Sequence, residues 1–257
     1  NEAASYYAEL KASGKAPVPE KKPGKYPIRT RTGRSATGRP VLVSAPSAGQ
    51  DEAPDAAVSE VPSSLGPMTD LVTGADGIRR CAWAGTDVEY QRYHDEEWGT
   101  ALHGDRRLFE KMSLEGFQAG LAWITILRKR PRFREVFHDF DPAVVAASGP
   151  DDVERLMQDA GIIRNRAKIE AVIGNAGLVE GMADGELDEL MWSFAPVAHT
   201  PPRTFADVPA VTAESTALST ELRRRGFRFV GPTTMYALMQ SAGMVDDHVA
   251  GCWRAEA

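Results

Sequence analysis

The spacing of apolar residues changes character near residue 78 of this 257-residue chain. Ahead of that point, KAPVPEKKPGKYPIRTRTGRSATGRP and DEAPDAAVSEVPSSLGP are rich in Pro, Gly and charge, with almost no apolar period. Such segments offer too little apolar surface to offset the entropy lost on ordering. Beyond it the rhythm becomes helical. In DRRLFEKMSLEGFQAGLAWITILRKR (105–130), Leu108, Phe109, Met112, Phe117, Leu121, Ile124 and Leu127 recur at helical spacing, with Asp105 as cap and Pro131 as stop. DPAVVAAS (141–148) reads as a short helix opened by Asp141 and Pro142. Amphipathic helices follow over 151–160 and 166–179, flanking GIIRN. The helices at 212–226 and 233–243 each close on Gly. Strand-like alternation is scarce, FRFV (227–230) being the short exception. The pattern predicts an all-α fold, with a disordered tail over 1–77 and a helical domain over 78–257, as one unit or two packed lobes.

Composition narrows the class. An apolar fraction of 42% suffices for one substantial core plus a tail. No apolar run reaches the roughly 18–20 residues that cross a bilayer, so no membrane partner is expected. The N-terminal stretch shows no signal-peptide pattern, and two cysteines 171 positions apart do not form a secreted disulfide framework. A cytoplasmic location is the expectation. Charge is unevenly spread: residues 1–50 carry +6, residues 51–77 carry −6, and residues 78–257 again carry −6. A helical region of net −6 argues mildly against nonspecific binding to polyanions. Any reading that involves nucleic acid must answer that.

The stretch CAWAGTDVEYQRYHDEEWG (81–99) places Cys81 and His94 among Trp83, Tyr90, Tyr93 and Trp98. The second cysteine sits in DDHVAGC (246–252), where His248 and Cys252 are four apart; on a helix both would face one ion. Two Cys and two His complete a tetrahedral zinc set with no position left for water, which favours a structural over a catalytic role. Two buried free thiols and two ordinary histidines are the alternative, since neither pair has zinc-finger spacing. A zinc deaminase is excluded: His94-Asp95-Glu96 fits its H-x-E half, but two cysteines this far apart cannot supply P-C-x-x-C.

Between Lys111 and Arg128 the only charged residue is Glu115, in MSLEGFQAGLAWITIL. An unpaired buried carboxylate costs several kcal/mol, so it must be paired, protonated or held for a ligand. Gly116 and Gly120 allow close approach, and Trp123 lies a little over two helical turns on. The alternative is a Glu115 that reaches solvent and a Trp123 in ordinary core. In LMQDAGIIRNRAKIEAV a Gly-containing turn joins two helices, the second with a basic start at Arg164, Arg166 and Lys168. That arrangement resembles a helix-hairpin-helix, whose exposed N–H groups favour a phosphate locally without a basic domain.

Together RCAW, YHDEEWG, LFEKMSLEGFQAGLAWITILRKR, FHDFDP, DAGIIRNRAKI, RRRGFRFVGPTT, YALMQSAGMVDDH and HVAGC resemble the type I 3-methyladenine DNA glycosylases of the helix-hairpin-helix superfamily, from about Arg80 to Arg254. Ala122 stands where the family more usually has Ser. The resemblance implies a structural zinc at Cys81, His94, His248 and Cys252. It implies that Glu115 hydrogen-bonds a flipped base, that Tyr93 and Trp123 stack on it, and that Trp83, Tyr90 and Trp98 line the pocket. Gly120 and Leu121 would sit at the DNA gap, with Leu121 a candidate wedge, and Gly161, Ile163, Arg164 and Arg166 would contact DNA. The expected partner is double-stranded DNA with alkylated bases, the expected state a monomer. The implied chemistry is base-excision repair: hydrolysis of the N-glycosidic bond of 3-methyladenine. Asn165 falls where strand-nicking relatives carry an amine, so a monofunctional enzyme is expected. Two other classes stay open: a zinc-stapled DNA-binding module without catalysis, and a metallohydrolase using its ion directly.

Overall fold

The structure is a computed structural model that describes residues 70–255. Most of the tail therefore lies outside the described residues. The described part is mostly helical, with one small hairpin that the apolar pattern does not reveal. Strand β1 (Leu71–Thr73) runs antiparallel to β2 (Arg79–Cys81), pairing Leu71 with Cys81. Strand β1 lies ahead of the boundary drawn at residue 78. Three residues are too few to show alternation, and the flanking Asp70, Gly74 and Asp76 make the segment look like more acidic tail.

Nine α-helices follow among the described residues: α1 (Val88–Glu96), α2 (Asp105–Gln118), α3 (Trp123–Val136), α4 (Pro142–Ala146), α5 (Pro150–Gln158), α6 (Arg166–Glu180), α7 (Glu186–Trp192), α8 (Ala213–Arg224) and α9 (Pro232–Ser241). Several begin as the residue types dictate. Asp141 accepts from the N–H groups of Ala143 and Val144 at 3.1 and 3.4 Å, ahead of Pro142. Asn165 accepts from Lys168 N–H, and Thr212 and Ser215 cap one another reciprocally.

Four expectations need correction. The helix predicted over 105–130 is two, α2 and α3, broken at 119–122 where Gly120 takes φ +86°. Pro131 does not stop α3 but lies inside it; burial of Phe133 and Val136 beyond it offsets the backbone hydrogen bond that proline cannot make. Asp105 does not cap α2, whose N-cap is Gly104; its carboxylate accepts from Gly185 and Asp188 N–H at 2.9 and 2.8 Å, and so caps α7. Residues 246–252 are not helical. His248 and Cys252 are joined instead by a turn in which Cys252 N–H bonds Val249 O and Gly251 has φ +84°.

Helix α2 is central. From Leu108 to Phe117 every residue except Glu110 is buried, including Lys111, Ser113 and Glu115. Helices α3, α6, α7 and α9 pack around it. Phe117, Phe133, Phe137 and Phe140 form a chain of ring contacts on one side, with centroids 4.6, 6.2 and 5.5 Å apart. On another side, the segment after α1 is tied to the end of α9 by Gly99 N–H to Gln240 O and Leu102 N–H to Ala242 O. Gly243 seals that junction with φ +69°, and a Cβ there would lie 2.4 Å from the Thr100 carbonyl carbon. Both the conformation and the space require glycine. Gly243→Ala is expected to cost about 3 kcal/mol or more and to lower Tm by roughly 6–12 °C, as read by chemical and thermal denaturation.

Candidate active site and metal cluster

The first strand–helix segment and the C-terminal turn bring both cysteines together. Donor atoms of Cys81, His94 and Cys252 all lie within 4.8 Å of one another, and all three side chains are buried. Helix α1 carries His94, whose Nε2 is 3.4 Å from Cys252 Sγ. His248 stands edge-on to His94, ring centroids 4.8 Å apart. Each histidine has its Nδ1 on a carboxylate: His94 on Asp95 at 2.8 Å and His248 on Asp246 at 2.6 Å. That makes Nδ1 the donor in each ring and leaves Nε2 as the acceptor, which in His94 takes Cys81 N–H at 3.3 Å. Nε2 of His248 is buried without a hydrogen-bond partner. Two thiols and one imidazole within reach of a single ion, with the unpartnered Nε2 of a second imidazole against the first, are the donor types that suit a zinc-like divalent cation. The thiols repel shared ionisation: the hydrogen bond to Cys252, and then burial, push Cys81 up, while the same bond holds Cys252 down. Asp95 is in turn gripped by Arg80 and by Trp253 Nε1 at 3.0 Å, so the cluster has a firm outer layer.

Adjacent to the cluster is a cavity of about 210 Å³ lined by Trp83, Tyr90, Tyr93, Trp98, Glu115 and Trp123, with Gln118, Gln240 and Ser241 among its polar walls. All six residues the sequence singles out for a base pocket therefore converge. Trp83 contacts both Tyr90 and Trp98 with centroids 5.0 Å apart. Tyr93 and Trp123 contact each other at 5.5 Å and 44°. A planar ligand sandwiched between two rings needs about 7 Å, twice the ~3.5 Å carbon contact distance. A ligand here stacks on one side of that pair rather than between its members.

Glu115 is 3% exposed. Its Oε1 accepts from Ser241 Oγ at 2.9 Å. Burial pushes its carboxyl up to about 7, against the opposing pull of Lys111 and the Ser241 hydroxyl. Lys111, one turn earlier on α2, is equally enclosed; its Nζ donates to the Tyr93 hydroxyl at 3.1 Å and lies 5.2 Å from the Trp123 ring centroid. Burial pushes it down to about 8, while Glu115 and Glu97 pull the other way. Sequence reasoning took Lys111 only as the edge of an uncharged stretch and missed Ser241. Its i, i+4 relation to Glu115 was the available signal. The indole N–H groups of Trp83 and Trp123 are buried without partners.

At the far end of α2, Gly120 and Leu121 form an exposed loop tip, Leu121 being 40% exposed. Helices α5 and α6 meet at residues 159–165. Gly161 is needed there for close approach, since a Cβ would lie 2.6 Å from Arg132 Cγ. Its N–H donates to Asp159 at 2.7 Å and is used within the turn. Ile163 is partly buried, Arg164 is exposed, and Arg166 pairs with Glu154 at 2.7 Å. Lys168 does not face outward with the other basic residues. Its Nζ donates to the carbonyls of Phe117 and Ala119, each at 2.8 Å, satisfying the C-terminus of α2. This contact draws the hairpin against the Gly120–Leu121 loop.

Comparison with known proteins adds identity to this geometry. Residues 83–255 match the model of the methyladenine glycosylase family. The chain is 49% identical over 181 residues to DNA-3-methyladenine glycosylase 1 of Escherichia coli (strain K12), covering 68% of this chain and 96% of that protein. It resembles a crystal structure of 3-methyladenine DNA glycosylase I with TM-score 0.65 and 45% identity, over 68% of this chain and 98% of the other. It also resembles the Staphylococcus aureus 3-methyladenine DNA glycosylase I, whose structure concerns 3-methyladenine recognition, with TM-score 0.64 and 34% identity over 68% and 95% of the two chains. With the match spanning every element from the aromatic pocket to the C-terminal turn, this chain belongs to the methyladenine glycosylase family.

Proposed function

We propose that this protein excises 3-methyladenine from alkylated DNA by hydrolysing its N-glycosidic bond, in base-excision repair. The observation that carries the reading is a buried carboxylate set in an aromatic pocket. A glycosylase must take the damaged base out of the stack and read its edge. N3-methylation makes adenine cationic within the nucleotide and weakens the bond to the sugar. Electron-rich ring faces attract that cation by roughly 0.5–2 kcal/mol per favourable contact. Tyr93 and Trp123 offer stacking on one face, with Trp83, Tyr90 and Trp98 as further walls. Glu115 in its ionised form favours the cation and accepts from the exocyclic amine, with Ser241 holding one carboxylate oxygen in place. Water is the nucleophile; unmethylated adenine, neutral and a poor leaving group, is spared.

The hairpin between α5 and α6 acts in this reading as a helix-hairpin-helix, holding backbone phosphates with the amides and side chains near Ile163, Arg164 and Arg166. Gly120 and Leu121 fill the gap left by the flipped nucleotide, and the exposed Leu121 is the wedge. Local N–H groups at a helix start answer the objection from net charge. The enzyme is monofunctional: Asn165 is spent capping α6, and the nearby Lys168 amine is bound to two carbonyls, away from any sugar.

Cys81, His94, His248 and Cys252 would hold a zinc ion, supported by the unpartnered Nε2 of His248 and by two thiols that cannot both ionise unaided. When bound, zinc in a closed two-Cys, two-His set supplies a cross-link rather than an open coordination position.

Two measurements test this reading. Methylated duplex DNA incubated with the protein is expected to release free 3-methyladenine, and Glu115→Gln to slow release by at least about tenfold with its fold retained, as from the loss of one charge-assisted contact. Absence of release by folded, metal-loaded protein would leave a binding module as the better account. Cys252→Ala is expected to lower both bound zinc, by elemental analysis, and Tm; a variant with full metal content rules the four-residue set out.

A further inference from the structure

A second cavity, also about 210 Å³, lies behind the aromatic pocket and shares Ser241 with it. The base-excision reading makes no use of it. Lys111, Glu97, Glu110 and Arg130 line its interior, and exposed Glu96, Ala101, Arg107 and Arg134 form its rim. Two of the lining cations are matched: Arg130 by Glu97 and Arg134 by Glu110, each at 2.8 Å. Lys111 is not. Its side chain stands between the two cavities, is 7% exposed and donates to the Tyr93 hydroxyl, but it forms no ion pair among the described residues.

Lys111 and Glu115 lie on one face of α2, one turn apart, so their charges offset each other across the pocket wall. A cationic purine disturbs that balance, because two cations would then share one carboxylate in a dry site. An amine can relieve the conflict where a guanidinium cannot, since a buried lysine gives up its proton near neutral pH. The groups facing Lys111 are Glu115 and Glu110 on α2, Glu97 just past α1, Arg130 on α3 and the Tyr93 hydroxyl; burial outweighs them and pushes the ammonium down to about 8.

We propose that Lys111 sets the charge selectivity of this pocket: its ammonium offsets Glu115 while the pocket is empty and releases its proton through the second cavity when a cationic base enters. The proton leaves Nζ for solvent at the Glu96–Arg107 rim, and the neutral amine keeps its contact with Tyr93. This inference rests on the base-excision reading above.

Single-turnover release of 3-methyladenine from methylated duplex DNA, with enzyme below saturation so that the rate reports the empty pocket's titration, followed between pH 7 and pH 9, tests it with the full chain, Lys111→Arg and Lys111→Met, each checked by thermal melting. Wild-type release should climb by at least about tenfold over that range, as an amine titrating near 8 loses its proton. Lys111→Arg, which cannot deprotonate, should start at or below the wild-type value at pH 7 and rise by no more than about twofold, the share left to Glu115 ionising from about 7. Lys111→Met should come within about threefold of wild type at pH 9, where the wild-type amine is already neutral. A flat wild-type profile, or the same rise in Lys111→Arg, overturns the inference and leaves base excision standing. So does Lys111→Met failing at pH 9 while Lys111→Arg works, which would make Lys111 only a hydrogen-bond donor to Tyr93. Should Lys111→Arg melt well below wild type, the wild-type and Lys111→Met profiles decide. No release by wild type at any pH overturns both readings.

Discussion

Burying one helix on every side is the constraint from which the pocket follows. Helix α2 runs through the middle of the described fold, so a polar side chain on its C-terminal half has nowhere to go but inward. Two opposite charges one turn apart, with Ser241 and Tyr93 supplying hydrogen bonds, make that tolerable. Taking each ion out of water still costs several kcal/mol, and burial pushes the carboxyl up to about 7 and the ammonium down to about 8 despite their mutual attraction. Such a residue of unfavourable electrostatics is the usual mark of a site kept for a ligand rather than for stability.

The Cys/His cluster solves a different problem, that of closing a chain whose contacts are far apart in sequence. Cys81 ends β2, His94 lies on α1 and Cys252 comes 158 residues after His94. Their meeting point braces the aromatic wall directly: His94 contacts Trp83 and Trp98, and His248 contacts Trp98 at 4.6 Å. Four of the five rings that shape the pocket are thus carried by the same segment as two of the cluster's side chains, which accounts for the crowding of residues 81–99.

Much of this was readable beforehand, and the failures have specific causes. Long helices announced themselves because their apolar period survives over about four turns, as in α6. The break between α2 and α3 was hidden because Leu121 keeps the helical period while pointing out of an exposed loop. Asp105 looked like a cap for its own helix, yet its carboxylate serves α7, 80 residues on. Local sequence cannot distinguish those two uses. The six pocket residues were identified by type and order. Lys111 and Ser241 were not, because a lone lysine or serine in a helix carries no pattern, and their meaning comes from what three-dimensional packing sets opposite them. Lys168 was misassigned for the same reason: charge in a sequence suggests solvent, whereas this amine is consumed by two carbonyls.

That last contact has an implication for how the molecule meets a duplex. Because one ammonium fastens the end of α2 to the beginning of α6, the loop tip at Leu121 and the turn at Gly161 belong to a single rigid block. Hinge motion between them would strand a buried cation and two helix-end carbonyls. On the proposed reading, the adjustment during encounter falls on the nucleic acid, which must bend to fit a preset template. Sites where the double helix already deforms cheaply would then be inspected first, whatever lesion they carry.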